Sequence, residues 1–253
     1  MAQIVEKLRK KIIAAIDDFG MLQNGDKVIL ATSWGKDSLT LLQLLNRLQK
    51  NYRVWDFKLK AVYVVPQIPW YKHHWQELKI FFQQQKIDYH ILHMQVPEDS
   101  KLHEGFTKKR ACQWCTYSRR ISLFKYAEKH GYNKIAYAHH MDDMIDTLFM
   151  NIYTWTNLKI MPAVNKLKSW DLTIIRPLVY IREAEIVRYL SQKRFKVFPC
   201  GCPVLKYANR LTFRRAIDKL EEQFPGFVER MFWAYQKKLP SDLIVDLSQW
   251  KTQ

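Results

Sequence analysis

Three groups of residues have the types and spacing to do chemistry. The first is Ser33-Trp34-Gly35-Lys36-Asp37-Ser38, which follows an apolar run, 27–33, and precedes helical periodicity over 38–48. A tight strand-to-helix turn exposes amide N–H groups, and the helix dipole adds partial positive charge. Ser33 and Ser38 could donate to phosphate oxygens there, Lys36 could neutralise charge, and Asp37 could hold Mg2+. A plain capped turn, with Asp37 or Ser38 as N-cap, accounts for the same six residues equally well. The pattern G-x-x-x-x-G-K-[ST] of GTPase-type loops is absent.

The second group is His139-His140-Met141-Asp142-Asp143, followed by Asp146-Thr147. The histidines end a predicted strand and the carboxylates open a predicted helix. On their own they read as packed histidines and a solvated N-cap favoured by the helix dipole. Beside the first loop, magnesium or substrate positioning becomes the better reading. The third group is four cysteines in two close pairs, Cys112/Cys115 and Cys200/Cys202. In a reducing compartment such pairs mark metal or redox chemistry rather than a disulfide framework. Cys112-Gln113-Trp114-Cys115 lies among Lys108, Lys109, Arg110, Arg119 and Arg120, and nearby cations favour thiolates. Four thiolates could make a structural zinc site, although Cys200-Gly201-Cys202, between Pro199 and Pro203, does not match a zinc ribbon.

The elements that must position these groups alternate. Helical spacing over 4–18 is followed by predicted strands at 27–33, 59–65, 88–94, 134–139 and 172–178. Helices are expected at 38–48, 70–85, 118–130, 143–153 and 182–192. Such alternation implies right-handed crossovers and an α/β fold: a doubly wound, mostly parallel five-stranded sheet with a helical C-terminal extension. The expected division is an N-terminal helix over 1–24, a nucleotide-binding domain over 25–198 and a basic helical extension over 199–253. Ligands of such sheets sit at the carboxyl ends of the strands, where the first two groups fall.

The 253 residues carry 41 Lys and Arg against 24 Asp and Glu, a net charge of +17, with 35 aromatic Phe, Trp and Tyr. That excess favours capture of polyanions, and the aromatics suit stacking, so RNA is the expected macromolecular partner. Candidate phosphate contacts are Lys108, Lys109, Arg110, Arg119, Arg120, Lys206, Arg210, Arg214 and Arg215. With 48% hydrophobic residues the chain can bury a core, and disorder throughout is excluded. No apolar run is long enough to span a bilayer and no signal-peptide pattern opens the chain, so no membrane association and a cytoplasmic location are expected.

Ser-x-Gly-Lys-Asp-Ser after the first strand resembles the S-G-G-x-D-S loop of the ATP pyrophosphatases, the PP-loop family. His139-His140-Met141-Asp142-Asp143 resembles that family's G-H-H-x-D-D motif. The cysteines narrow the likeness to its tRNA 2-thiocytidine synthetase branch. That similarity runs from about 25 to 245 and includes Ile175-Arg176-Pro177-Leu178, Phe198-Pro199-Cys200 and Phe224-Pro225-Gly226. The resemblance implies ATP with Mg2+ at Ser33, Trp34, Gly35, Lys36, Asp37, Ser38, His139 and His140, with Asp37, Asp142 and Asp143 as catalytic positions. It also implies a [4Fe–4S] cluster on Cys112, Cys115 and Cys200, with Cys202 an alternative ligand or a catalytic sulfur carrier.

The implied reaction adenylates the C2 oxygen of an anticodon-loop cytidine in tRNA and then displaces AMP with sulfide. A cysteine desulfurase or inorganic sulfide would supply the sulfur, and a homodimer is compatible with the family. Two alternatives accompany it: a PP-loop enzyme activating another RNA base or a small molecule, and a non-catalytic RNA-binding protein with structural zinc. Two departures stand out. Trp34 replaces a loop glycine, where an indole is costly if φ must be positive, but could also stack on adenine or gate the pocket. Ala138 replaces the glycine before the histidine pair.

Overall fold

The computed structural model describes residues 2–51, 55–66, 75–94, 108–155, 158–193 and 209–236. Helix α1 (Ala2–Asp18) leads into β1 (Asp26–Thr32), α2 (Lys36–Asn51) and β2 (Phe57–Val65). The chain continues through α3 (Trp75–Gln84), β3 (Tyr89–His93), α4 (Lys108–Lys129), β4 (Lys134–Ala136) and α5 (Met141–Trp155). It closes with β5 (Val164–Leu167), β6 (Leu172–Ile175), α6 (Glu183–Lys193), α7 (Asn209–Gln223) and α8 (Phe227–Gln236). Helix α1 ends at Gly20, whose φ of 57° is left-handed, with the Met21 N–H reaching back to Ile16 O at 2.9 Å.

The strands form one sheet in the order β3-β2-β1-β4-β6-β5. Every neighbouring pair is parallel except β5–β6, an antiparallel hairpin in which Val164 faces Ile175 and Leu167 faces Leu172. Among the described residues the sheet therefore has six strands, not the five expected. Val164–Leu167 carries a half-buried apolar residue at each end and exposed Asn165 and Lys166 between, so it lacks the alternation that marks a half-buried strand.

Alternating side chains of the central strands feed two cores. Val28 and Leu30 of β1, with Leu59, Ala61, Tyr63 and Val65 of β2, face the layer that includes α1, α2, α5, α6 and α8. Ile29, Val62 and Val64 face the other side, under Leu123, Phe124 and Ala127 of α4. Burial on both faces explains why these strands read as nearly continuous apolar runs. Helix α4 begins at Lys108, ten residues before the predicted start at Ser118. No Gly or Pro interrupts 106–130, so helix continues through both Cys112 and Cys115.

Candidate active site

The strand order reverses direction between β1 and β4, and both chemically suggestive loops leave the sheet at that point. After β1 the chain folds through Ser33, Trp34 and Gly35 into α2. The Ser38 hydroxyl organises this turn, donating to Ser33 O at 2.5 Å and accepting from the Ser33 N–H at 3.1 Å. The Gly35 N–H reaches Ser33 Oγ at 3.2 Å. A Cβ on Gly35 would stand 3.1 Å from that same oxygen, so close packing, not positive φ, calls for glycine. Trp34 has no left-handed backbone, and its indole leans edge-on against Phe81 of α3, with ring centroids 5.7 Å apart.

Between the loops lies a cleft of about 380 Å³. Ser33, Asp37 and Ser38 line one side, His139, Asp143 and Arg210 another, and Thr116, Arg119, Arg120 and Leu123 of α4 a third. Trp34 is not among the lining residues, so the indole does not fill the cleft. The α4 contributors recur at three- and four-residue spacing, which makes them one helical face. Cys115 directly precedes Thr116 and is half-buried; Cys112 lies one turn earlier in α4. Cys200, Cys202 and Lys206 lie outside the described residues. Among the described residues, no three His, Cys, Asp or Glu side chains are grouped to hold a metal.

The two histidines are driven in opposite directions. Around His140, Asp142 Oδ2 stands 3.3 Å from Nδ1, while Asp143 Oδ2 and Asp37 Oδ1 each stand 3.7 Å from Nε2. Burial works against its charge, yet these three carboxylates raise its pKa above 6.5. His139 is pushed down to about 4, chiefly by burial, which outweighs the opposing Asp143 carboxylate and is reinforced by the Arg176 and Arg210 charges. Arg176 Nε donates to His139 Nδ1 at 3.2 Å.

The adjacent aspartates also part company. Asp142 turns to α6, accepting from Arg182 Nε at 3.1 Å and from the Glu183 N–H at 2.7 Å. It thus caps a helix that starts 41 residues downstream. Burial opposes its ionisation, but His140, Arg182 and that N–H outweigh it and hold the carboxyl below its usual range. Asp143 lines the cleft, accepts from the His140 N–H at 3.1 Å and is paired with Arg210. Lys36 does not point freely into the cleft, because Glu183 Oε1 stands 2.7 Å from its Nζ and Asp37 Oδ2 3.0 Å.

Arg210 and Arg214, candidate contacts for RNA phosphates, both pair with carboxylates within the protein, and Arg210 also lines the cleft. Arg214 Nε lies 2.8–2.9 Å from both oxygens of Asp146, and its other nitrogens pair with Glu183 and Asp143. Arg210 pairs with Asp143 and Asp146. These contacts dock α7 on α5, four residues at a time, because 143/146 and 210/214 are each one turn apart. Arg176, Arg182 and Glu183 were not foreseen as site residues. Their side-chain partners His139, Asp142, Arg214 and Lys36 all lie more than 30 residues away in sequence, so no short segment displays the pairing.

A parallel sheet with a hydroxyl-bearing turn and an acidic helix start at its switch point defines a PP-loop protein, and residues 3–199 match the PP-loop domain family. The tRNA-cytidine(32) 2-sulfurtransferase of Alcanivorax borkumensis is 37% identical over 246 residues, covering 95% of this chain and 84% of that protein. The protein of the same name from Marinobacter nauticus is 36% identical over 95% of this chain and 79% of its own. The chain belongs to the tRNA-cytidine(32) 2-sulfurtransferase family of PP-loop enzymes. In fold it is similar to the U34-tRNA thiolase of Methanococcus maripaludis, solved with its [4Fe–4S] cluster. There the TM-score is 0.74 at 22% identity, over 98% of this chain and 85% of that one.

No helix among the described residues is long and apolar enough to cross a membrane.

Proposed function

We propose that this enzyme thiolates a cytidine of tRNA at C2, using ATP to activate the base and an iron–sulfur cluster to supply sulfur. The observation that carries the reading is the shared cleft. Ser33 and Ser38 line it on one side, and on the other the α4 face that ends in Thr116 follows directly from Cys115 and Cys112.

In the first step the C2 oxygen of the base attacks the α-phosphorus of ATP, forming a C2–O–P linkage and releasing pyrophosphate. In the second, hydrosulfide attacks C2, AMP leaves with the oxygen, and a proton is lost, giving 2-thiocytidine. The chain's own residues mainly position and neutralise. Amide and hydroxyl groups of 33–38 receive phosphate oxygens at the start of α2, where the helix dipole favours anions. Lys36, held by Asp37 and Glu183, adds fixed positive charge, and Arg119 and Arg120 add more across the cleft. No side chain has to act as a strong base.

Asp37 fits Mg2+, because its Oδ1 is buried without a hydrogen-bond partner. Both Asp143 oxygens already accept hydrogen bonds, which leaves that residue to position rather than coordinate. Cys112 and Cys115 also suit their proposed cofactor: soft donors three residues apart in the sequence, closely followed by Arg119 and Arg120, and such cations favour thiolates. Cys112 and Cys115 would hold the [4Fe–4S] cluster with Cys200, or with Cys202 in its place; otherwise Cys202 serves as a sulfur carrier. When bound, the cluster supplies a soft iron suited to holding sulfide. The remaining parts of the proposal are a cysteine desulfurase or inorganic sulfide as sulfur donor, a homodimer, and a cytoplasmic location. RNA would approach over Arg119, Arg120 and the basic first turn of α4.

Anaerobic purification tests the reading directly. Iron and acid-labile sulfide in equal amounts, pyrophosphate release that needs both ATP and tRNA, and 2-thiocytidine in the digested product are expected. Cys112→Ser and Cys115→Ser should lose the iron and the thiolation while keeping the wild-type circular dichroism spectrum. Colourless protein with stoichiometric zinc, or full thiolation by Cys112→Ser, would overturn the reading.

A further inference from the structure

Arg176 is buried, at 7% exposed, and its counter-ion is not a carboxylate among the described residues. Nη1 donates to Pro162 O at 2.6 Å, Nε donates to His139 Nδ1 at 3.2 Å, and its own N–H is anchored on Ala163 O at 3.0 Å. Burial holds its pKa down to about 10, still far above neutrality, so the guanidinium remains a donor. An imidazole nitrogen that accepts from a guanidinium must present its lone pair, which places the ring proton on Nε2. Protonating Nδ1 as well would set two N–H groups against each other beside a positive charge.

The ring is further held by stacking on Tyr137, with centroids 5.7 Å apart and planes 27° from parallel. Both Tyr137 and His139 line the cleft. Nε2 has no hydrogen-bond partner among the described residues, nor is it among the buried polar atoms left without one. It is therefore an open N–H on the cleft wall. His140 is its opposite: buried, ringed by three carboxylates and drawn toward the charged form. Two neighbouring imidazoles separated in this way have separate tasks. His140 is turned to the carboxylates of the loops, while the uncharged His139 can hydrogen-bond without adding charge.

We propose that His139 is a fixed, neutral hydrogen-bond donor to a nucleobase edge in the cleft, and that Arg176 is the positioning residue that sets its tautomer. An uncharged N–H suits a ring nitrogen or a carbonyl oxygen of a base. Phosphate is better served by Arg119 and Arg120, which line the cleft. The base is either the adenine of ATP or the tRNA base, and in that respect the inference rests on the function proposed above.

The tautomer can be read without any substrate, from the 15N shifts of labelled histidine in the full chain. His139 should show the Nε2–H form, and Arg176→Met should mix the two forms. An Nδ1–H ring in the wild type would overturn the assignment. Binding of ATP by calorimetry and of tRNA by fluorescence anisotropy then identifies the base. His139→Ala should weaken one of the two about three- to tenfold, the worth of one hydrogen bond. His139→Gln, which can place an amide N–H near the Nε2 position, should restore it. Loss confined to ATP identifies adenine, and loss confined to tRNA identifies the target base. Wild-type protein that binds neither would sink the function proposed above. If it binds both and His139→Ala binds equally well, the present inference alone falls.

Discussion

Replacing Arg214 by Met removes the side chain that fastens α7 to the site. Asp146 is 1% exposed, and Arg214 Nε lies 2.9 and 2.8 Å from its two oxygens. Burial pushes this carboxyl up and the two guanidiniums only partly offset it, so its ionised form depends on them. Breaking a buried pair by removing one partner costs ~3–5 kcal/mol. Arg210 Nε stays at 3.3 Å from Asp146, which argues for the low end, ~3 kcal/mol, or roughly a hundredfold in the unfolding constant. For a chain of this size that lowers Tm by roughly 6–12 °C.

The pH dependence follows from the sign of the shift. A carboxyl whose folded pKa lies above its unfolded value favours folding at low pH and opposes it as pH rises. In Arg214→Met the carboxyl rises further, so the loss should be small near pH 5 and grow toward pH 8. Urea unfolding followed by circular dichroism at pH 5, 6, 7 and 8 measures this. Hydrogen exchange should show the amides of α7 losing protection before those of β1 and β2. The double variant Asp146→Leu/Arg214→Met, in which the buried Asp146 carboxylate is gone as well, should recover more than half of the loss. A loss below 1 kcal/mol, or one independent of pH, would refute the view that this pair carries the docking.

Other expectations follow from single contacts. Trp34→Gly should leave ATP affinity within about twofold, because the indole is absent from the cleft wall, yet lower stability by ~2 kcal/mol through lost packing on Phe81; calorimetry and urea titration separate the two effects. His140 has a raised pKa, so the stability it contributes is complete below pH 6.5 and fades as pH climbs through the raised value; His140→Gln should remove that part of the pH profile in urea titrations. Arg119→Ala and Arg120→Ala should each weaken tRNA binding and reduce the slope of log affinity against log salt by about one, as measured by anisotropy from 50 to 300 mM salt.

Much of the architecture was legible because its causes are local. Strand runs such as 59–65 are apolar on both faces, as a doubly covered sheet requires, and the turn residues Ser33, Gly35 and Ser38 advertised a strand-to-helix loop. The hairpin strand at 164–167 was not, since an exposed edge imposes no alternation. The early start of α4 was signalled only by the lack of any breaker between 106 and 130. The pairing of basic residues was hidden for a related reason: a sequence displays Arg210 and Arg214 without the Asp143 and Asp146 that pair with them across 64 to 71 residues.

By itself, then, the order of residues determined which elements form, where the two loops leave their strands, and that thiols and cations cluster near 112–120. Only the tertiary structure decided which side chains remain available. It turned Asp142 away to cap α6, spent Asp143 and Asp146 on α7, parted His139 from His140, and laid Trp34 against Phe81 instead of in the cleft. Each of those outcomes depends on burial and on partners distant in sequence, and those are properties of the packed chain rather than of any short segment.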